Sequence, residues 1–160
     1  MIETLLPGVQ HLQNVHPLLV HFPIAFLMGA ALFYFLALIF QKDTFATIAF
    51  SLLIFGAFSA CVAAASGLYA EDGVMVSLSV REHLLERHEQ LMLSTTGLSI
   101  ALTIWAVIAR PFPRKKRGIF VFLIVIMLGI MTWGADYGAR MVYDYNAGGN
   151  ACPQPMDFTK

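Results

Sequence analysis

Four long apolar runs constrain the fold more than any other feature of this sequence. They cover about residues 17–40, 45–70, 90–109 and 118–138. A helix needs roughly 20 apolar residues to cross the hydrocarbon layer of a bilayer, and each run is long enough. Only 12% of the residues are charged, against about a quarter in soluble domains. The sequence therefore predicts an all-α, integral membrane four-helix bundle in residues 1–143, followed by a polar tail in residues 144–160.

The distribution of basic residues predicts the orientation of the helices. Six of the ten fall in the first and third connections: Lys42, Arg110, Arg114, Lys115, Lys116 and Arg117. Short loops rich in Lys and Arg stay in the cytoplasm. Both termini and the 71–89 connection are then predicted to face the periplasm of a bacterial inner membrane. The formal net charge is zero, which gives no indication of a nucleic-acid partner.

Two pairs of histidines precede the first and third runs with the same spacing. His16 and His21 lie in "HPLLVH", and His83 and His88 lie in "HLLERH". A tandem repeat of two helical hairpins would match His16 with His83 and His21 with His88. Residues five apart lie about 140° apart around a helix, so one pair cannot easily grip one ion from one face. A site built from these histidines must combine different helices.

The neighbours of the histidines predict which of them face inward. His88 lies at the centre of an apolar stripe, whereas His83 falls among polar side chains, so only His88 is expected to face the bundle. The stripe consists of Leu84, Leu85, Leu91 and Met92. All neighbours of His21 are apolar, which leaves its direction open, and His16 precedes Pro17, a residue suited to a first helical turn. His88 is then either a buried histidine bound to an internal acceptor or a ligand.

Two local patterns predict interactions at the periplasmic helix ends. Ser79 and Glu82 have the spacing of a capping box, which would open the third helix well before its apolar run. Asp136 and Arg140 are four residues apart near the end of the last run, where an ion pair is expected.

The stretch "HPLLVHFPIAFL", the small residues that end the second run and the "VYDYNAGG" after the fourth resemble one bacterial membrane family. It is called domain of unknown function 2231, and the resemblance covers most of residues 14–150. It implies a four-helix membrane fold. Members of the family are occasionally fused to Rieske iron–sulfur domains, which implies redox work. This chain has no such ligand set and carries an additional polar end with Cys152, so an electron partner must be a separate protein.

These features predict a membrane-bound, b-type cytochrome-like electron-transfer protein or subunit with haem b near the periplasmic face. Two neutral imidazoles from different helices suit a six-coordinate iron that transfers electrons. His88 is one expected ligand; His21 is the other by the repeat, with His16 as the alternative. Arg87 or Arg81 would neutralise the haem propionates. The partners would be the lipid bilayer, a periplasmic or membrane electron carrier and a larger complex, and no catalytic residue is predicted.

Two alternatives stay open at this stage. The chain would instead be a cofactor-free structural or assembly subunit of a respiratory or photosynthetic complex, because its many Gly and Ala residues permit close helix contacts. A copper or zinc site is supported only by the clustering of His11, His16 and His21. The sequence lacks the Met-rich or Cys-x-x-Cys motif that would strengthen such a site.

Overall fold

Four long helices make up most of the computed structural model, which describes residues 15–71, 77–113 and 115–147. They are α1 (His16–Phe40), α2 (Asp43–Glu71), α3 (Leu78–Ala109) and α4 (Arg117–Tyr145). Each is long and apolar enough to cross a membrane. The described ranges contain no strand. The predicted all-α, four-helix membrane fold is confirmed.

The helices run up and down and form a ring. α1 packs mainly on α2 and α3 mainly on α4, while α2 also contacts α3 and α1 also contacts α4. α1 and α3 therefore face each other across a diagonal. The first and third connections lie at one end of the bundle, which we call the basic end (residues 41–42, 110–113 and 115–117). The opposite end we call the histidine end (residues 15–21, 66–71, 77–88 and 134–147).

Each helix buries one narrow stripe of residues at alternating spacings of three and four, as in coiled-coil packing. In α1 the stripe consists of Pro23, Leu27, Ala30, Tyr34 and Ala37. The stripe of α2 is mostly Ala and Gly, and a Cβ at Gly56 would overlap Leu27 of α1. Small residues of this kind let membrane helices approach closely. The remaining apolar surface faces outward, where lipid would cover it.

At the basic end, an aromatic cluster packs the third connection against α1 and α4. Tyr34 is fully buried, and its hydroxyl donates to the Pro111 carbonyl at 3.1 Å. Its ring packs on Phe112 and Phe120, whose centroids lie 5.1 and 5.0 Å away. The hydrogen bond satisfies a hydroxyl that would be costly to bury alone.

The helix ends differ in detail from the sequence patterns. Ser77, rather than Ser79, caps α3 by accepting from the Val80 N–H at 3.4 Å, so the predicted capping box is wrong. A π-helical segment follows at Arg81–Leu85.

α4 continues two residues beyond the predicted domain boundary at 143 and ends at Asn146, which adopts a left-handed conformation (φ 53°). Asn tolerates that conformation, and the Ala147 N–H then closes the helix on the Met141 carbonyl at 2.9 Å. His11, Cys152 and the tail beyond 147 lie outside the described residues.

Candidate histidine site

His16 and His88 come together at the histidine end, one from each of the diagonal helices. α1 begins at His16, with Pro17 in the first turn. His16 lies seven residues before Pro23, and His88 lies seven before the buried Thr95. Seven residues are close to two helical turns, so each histidine extends the inward stripe of its helix. Both are half-buried at the same end of the bundle.

The His16 ring is held by the end of α2. The Ser66 hydroxyl donates to the Ala63 carbonyl at 2.8 Å. Its oxygen therefore accepts from the His16 Nδ1–H at 2.9 Å, because a hydroxyl has only one proton to donate. The ring also packs against Gly67, where a Cβ would lie 3.0 Å from the imidazole Cε1. This arrangement places the proton on Nδ1 and the lone pair on Nε2.

The His88 ring is held in the same way by α4. Its Nδ1 lies 2.7 Å from the Gly134 carbonyl, which can only accept, so Nδ1 donates. A Cβ at Gly138 would lie 3.0 Å from the His88 Cε1. His88 thus faces the bundle, as its apolar stripe predicts, and it carries its lone pair on Nε2 in the neutral form.

The contacts around the His16 ring resemble those around the His88 ring. His16 bonds the Ser66 hydroxyl, which in turn bonds the Ala63 carbonyl, and its ring packs on Gly67, four residues after Ala63. His88 bonds the Gly134 carbonyl directly and packs on Gly138, four residues later. The predicted repeat instead matched His21 with His88, and these contacts give no support to that register. The repeat itself stays a prediction.

The other predicted site residues lie outside this pair. His21 and His83 are exposed on the outer surfaces of α1 and α3, and Arg87 is also exposed. Arg81 forms an ion pair with Glu71, with 2.8 Å between the guanidinium Nη1 and the carboxylate Oε1. The structure therefore brings together His16 and His88 and leaves His21 apart.

The predicted ion pair between Asp136 and Arg140 does not form within the described residues. The Arg140 Nε instead lies 3.9 Å from the Asp144 carboxylate, and its guanidinium lies 6.0 Å from the centroid of the Tyr137 ring. Because α4 continues past Arg140, the Asp144 carboxylate, one turn later, competes with Asp136 for the Arg140 guanidinium.

Within the described ranges, no group of three or more His, Cys, Asp or Glu side chains could hold a metal ion. Zinc sites usually take three or four protein ligands, whereas a six-coordinate haem iron needs only two imidazoles. The paired histidines fit the haem requirement better. His11, which the copper or zinc alternative also used, lies outside the described part of the chain.

Sequence reasoning missed Ser66 and Gly138 as supports of the two rings. Once the structure shows that Pro23 and Thr95 face inward, counting back seven residues selects His16 and His88 together. The sequence alone does not give the inward direction of Pro23. The partner glycines follow only once the two helices of each hairpin are placed side by side.

The fold and site define a class: a multi-pass, four-helix membrane protein with two inward histidines from diagonal helices at one end. The chain belongs to the family described as Predicted membrane protein (DUF2231), whose model matches residues 12–151, and the resemblance in the sequence is confirmed. A search of curated proteins found no match. A search of solved structures also found none.

Proposed function

We propose that the protein is a membrane-bound, b-type cytochrome-like electron-transfer protein or subunit in which His16 and His88 are the two axial ligands of a haem. The observation that carries the proposal is that these two imidazoles, from diagonal helices, are both half-buried at the same end of the bundle. Each has its Nδ1–H bonded to the following helix. Ligand histidines are commonly oriented in this way, with the second ring nitrogen fixed by a protein acceptor.

The donor set fits a haem iron. In each imidazole, Nδ1 and Nε2 lie on opposite sides of the ring, so Nε2 points away from the acceptor that holds Nδ1. Both rings are neutral ligands in the tautomer that leaves the lone pair on Nε2. Bound haem would supply a one-electron iron couple. The contribution of the chain is to fix two nitrogens and to keep water away from them.

Apolar residues lie on one side of the half-site of α3 and α4 and would limit the access of water. The buried Leu84, Leu85 and Met141 form a cluster between His88 and the end of the bundle. A low-polarity shell affects solvent access and therefore the reduction potential. We no longer prefer His21 as the second ligand, because it lies on the outer surface of α1.

The proposed orientation places the histidine end in the periplasm. The basic end carries Lys42, Lys115, Lys116 and Arg117 in short connections, and such connections stay in the cytoplasm. Electrons would then pass between the membrane and a periplasmic or membrane carrier. The host is proposed to be the inner membrane of a bacterium.

A second candidate is a cofactor-free structural or assembly subunit of a respiratory or photosynthetic complex. The contacts with Gly67 and Gly138 favour it, because each ring already fills a close-packed notch and bonds an internal acceptor. In that function the histidines would lock α1 to α2 and α3 to α4.

Optical spectroscopy of the purified protein distinguishes the two candidates. We expect a Soret band, a reduced-minus-oxidised difference spectrum and a positive pyridine haemochrome assay from protein expressed with an adequate haem supply. His16→Ala and His88→Ala should lose the haem. His21→Ala and His83→Ala are matched controls, one from each histidine pair, and should retain it.

Two results would count against the proposal. Wild-type protein that folds and stays colourless under these conditions would favour the structural candidate. Haem loss in His21→Ala with retention in His16→Ala would show that the second ligand is the one favoured by the repeat.

A further inference from the structure

A separate pocket with mixed polar and apolar lining opens at the histidine end, between the first turns of α3 and the last turns of α4. It has a volume of about 240 Å³. Its lining consists of Ser79, Val80, His83, Leu84, Arg140 and Tyr145. The functional proposal above uses none of its polar groups.

The polar side chains of the pocket are those of Ser79, His83, Arg140 and Tyr145. The only ion pair of Arg140 among the described residues is the long, exposed contact with Asp144, made through Nε. Its two terminal nitrogens form no ion pair among the described residues. His83 donates Nδ1–H to the Ser79 carbonyl at 2.9 Å, which fixes its ring at the pocket wall. Tyr145 adds a hydroxyl. A guanidinium and a phenol hydroxyl on the lining of one pocket are donors that suit an oxyanion such as phosphate.

The depth of the pocket in the membrane indicates the source of that oxyanion. The apolar run 118–138 is about 31 Å long at 1.5 Å per residue, which matches the hydrocarbon layer. Arg140 lies two residues beyond this run. The exposed aromatic residues Trp133 and Tyr143 lie on either side of it, as expected of residues at the membrane interface. The pocket is therefore at the level of lipid headgroups, where phosphate is abundant.

We infer that this pocket binds the phosphate group of a phospholipid headgroup, with the Arg140 guanidinium as the main contact and Tyr145 and His83 at its sides. Basic pockets between transmembrane helices are known to bind lipid headgroups. The inference is independent of haem binding and of the histidine pair.

Native mass spectrometry of delipidated protein in detergent tests this inference. The probe is phosphatidylglycerol, and diacylglycerol, which has the same tails without phosphate, is the lipid control. Arg140→Gln should weaken phosphatidylglycerol binding about tenfold, because one charge-assisted contact is lost. Tyr145→Phe should cause a smaller loss. Arg110→Gln removes the same charge from an exposed residue at the basic end and should leave this binding unchanged.

Several results would overturn the inference. Equal binding of diacylglycerol and phosphatidylglycerol would show that the phosphate is not recognised. Equal affinities of wild type and Arg140→Gln, with both proteins folded by circular dichroism, would remove the proposed contact. Arg140-dependent binding of inorganic phosphate as tight as that of the lipid would assign the pocket to a soluble phosphate.

Discussion

Replacing Gly138 by Ala tests directly whether the His88 ring occupies its notch on α4. The added Cβ would lie 3.0 Å from the imidazole Cε1 and 3.1 Å from Nδ1. Carbon atoms pack best at about 3.5–4.0 Å, so the ring would have to move by roughly half an ångström. The ring cannot move freely, because its Nδ1 is bonded to the Gly134 carbonyl at 2.7 Å.

Two opposing terms determine the size of the effect. Ala is favoured over Gly inside a helix by about 0.5–1 kcal/mol. Overpacking a close contact costs about 1–3 kcal/mol, and weakening the bond to Gly134 costs up to about 1.5 kcal/mol more. The cost of overpacking should exceed the gain from placing Ala in the helix. We therefore expect Gly138→Ala to lower the free energy of unfolding by about 1–2 kcal/mol.

Gly129 provides the matched control on the same helix. A Cβ there meets nothing within 4 Å, so Gly129→Ala should be neutral or stabilise by up to about 1 kcal/mol. Both variants can be measured by titration with SDS in mixed micelles. In a His88→Ala background the notch is empty, and the cost of Gly138→Ala should disappear. Equal effects of the two glycine variants, or a cost that persists without the imidazole, would refute this reasoning.

Two further predictions follow from the site and the charge distribution. Gly67→Ala should displace the first ring of the pair and lower the haem content, whereas Gly97→Ala, which faces open space on α3, should not; absorbance per protein measures both. A reporter fused after Gly149 should be active in the periplasm and one fused at Lys116 active in the cytoplasm, and the opposite pattern would reverse the proposed orientation.

The four-helix fold was predictable because the bilayer imposes a length on each apolar run. The ends of the helices were less predictable. Polar residues continue α3 and α4 outside the hydrocarbon layer, where hydropathy carries no information about helix length. Ser77 and Ser79 are equally good caps by chemistry, and only the backbone path distinguishes them.

The inward direction of His88 was predictable, and that of His16 was not. The first turns of α3 carry polar residues on one side, so an apolar stripe stands out and identifies the buried face. The start of α1 has apolar residues on every side, because lipid and protein interior are equally apolar. In a soluble helix, the contrast between apolar and polar sides identifies the buried face, and the start of α1 lacks this contrast.

The shared spacing of the two histidine pairs matched His21 with His88, a register to which the contacts of the rings give no support. Residues five apart lie on different faces, so only one member of each pair can face inward. The inward member is the first of the pair in α1 and the second of the pair in α3. A repeat aligned on the sequence motif therefore matches an inward residue with an outward one.

A single substitution at His88 separates the haem and structural functions. The side-chain amide of Asn can occupy the position of Nδ1 and donate to the Gly134 carbonyl, but it has no group in the position of Nε2. If His88 only locks α3 to α4, His88→Asn should retain nearly the stability of the wild type, while His88→Ala loses about 1–2 kcal/mol with the hydrogen bond and the packing. If Nε2 is a haem ligand, His88→Asn should lose the low-spin haem spectrum and still unfold in the same SDS range as the haem-free wild type. Retention of the spectrum in a folded His88→Asn protein would exclude His88 as a ligand, because no other nitrogen of that side chain could replace Nε2.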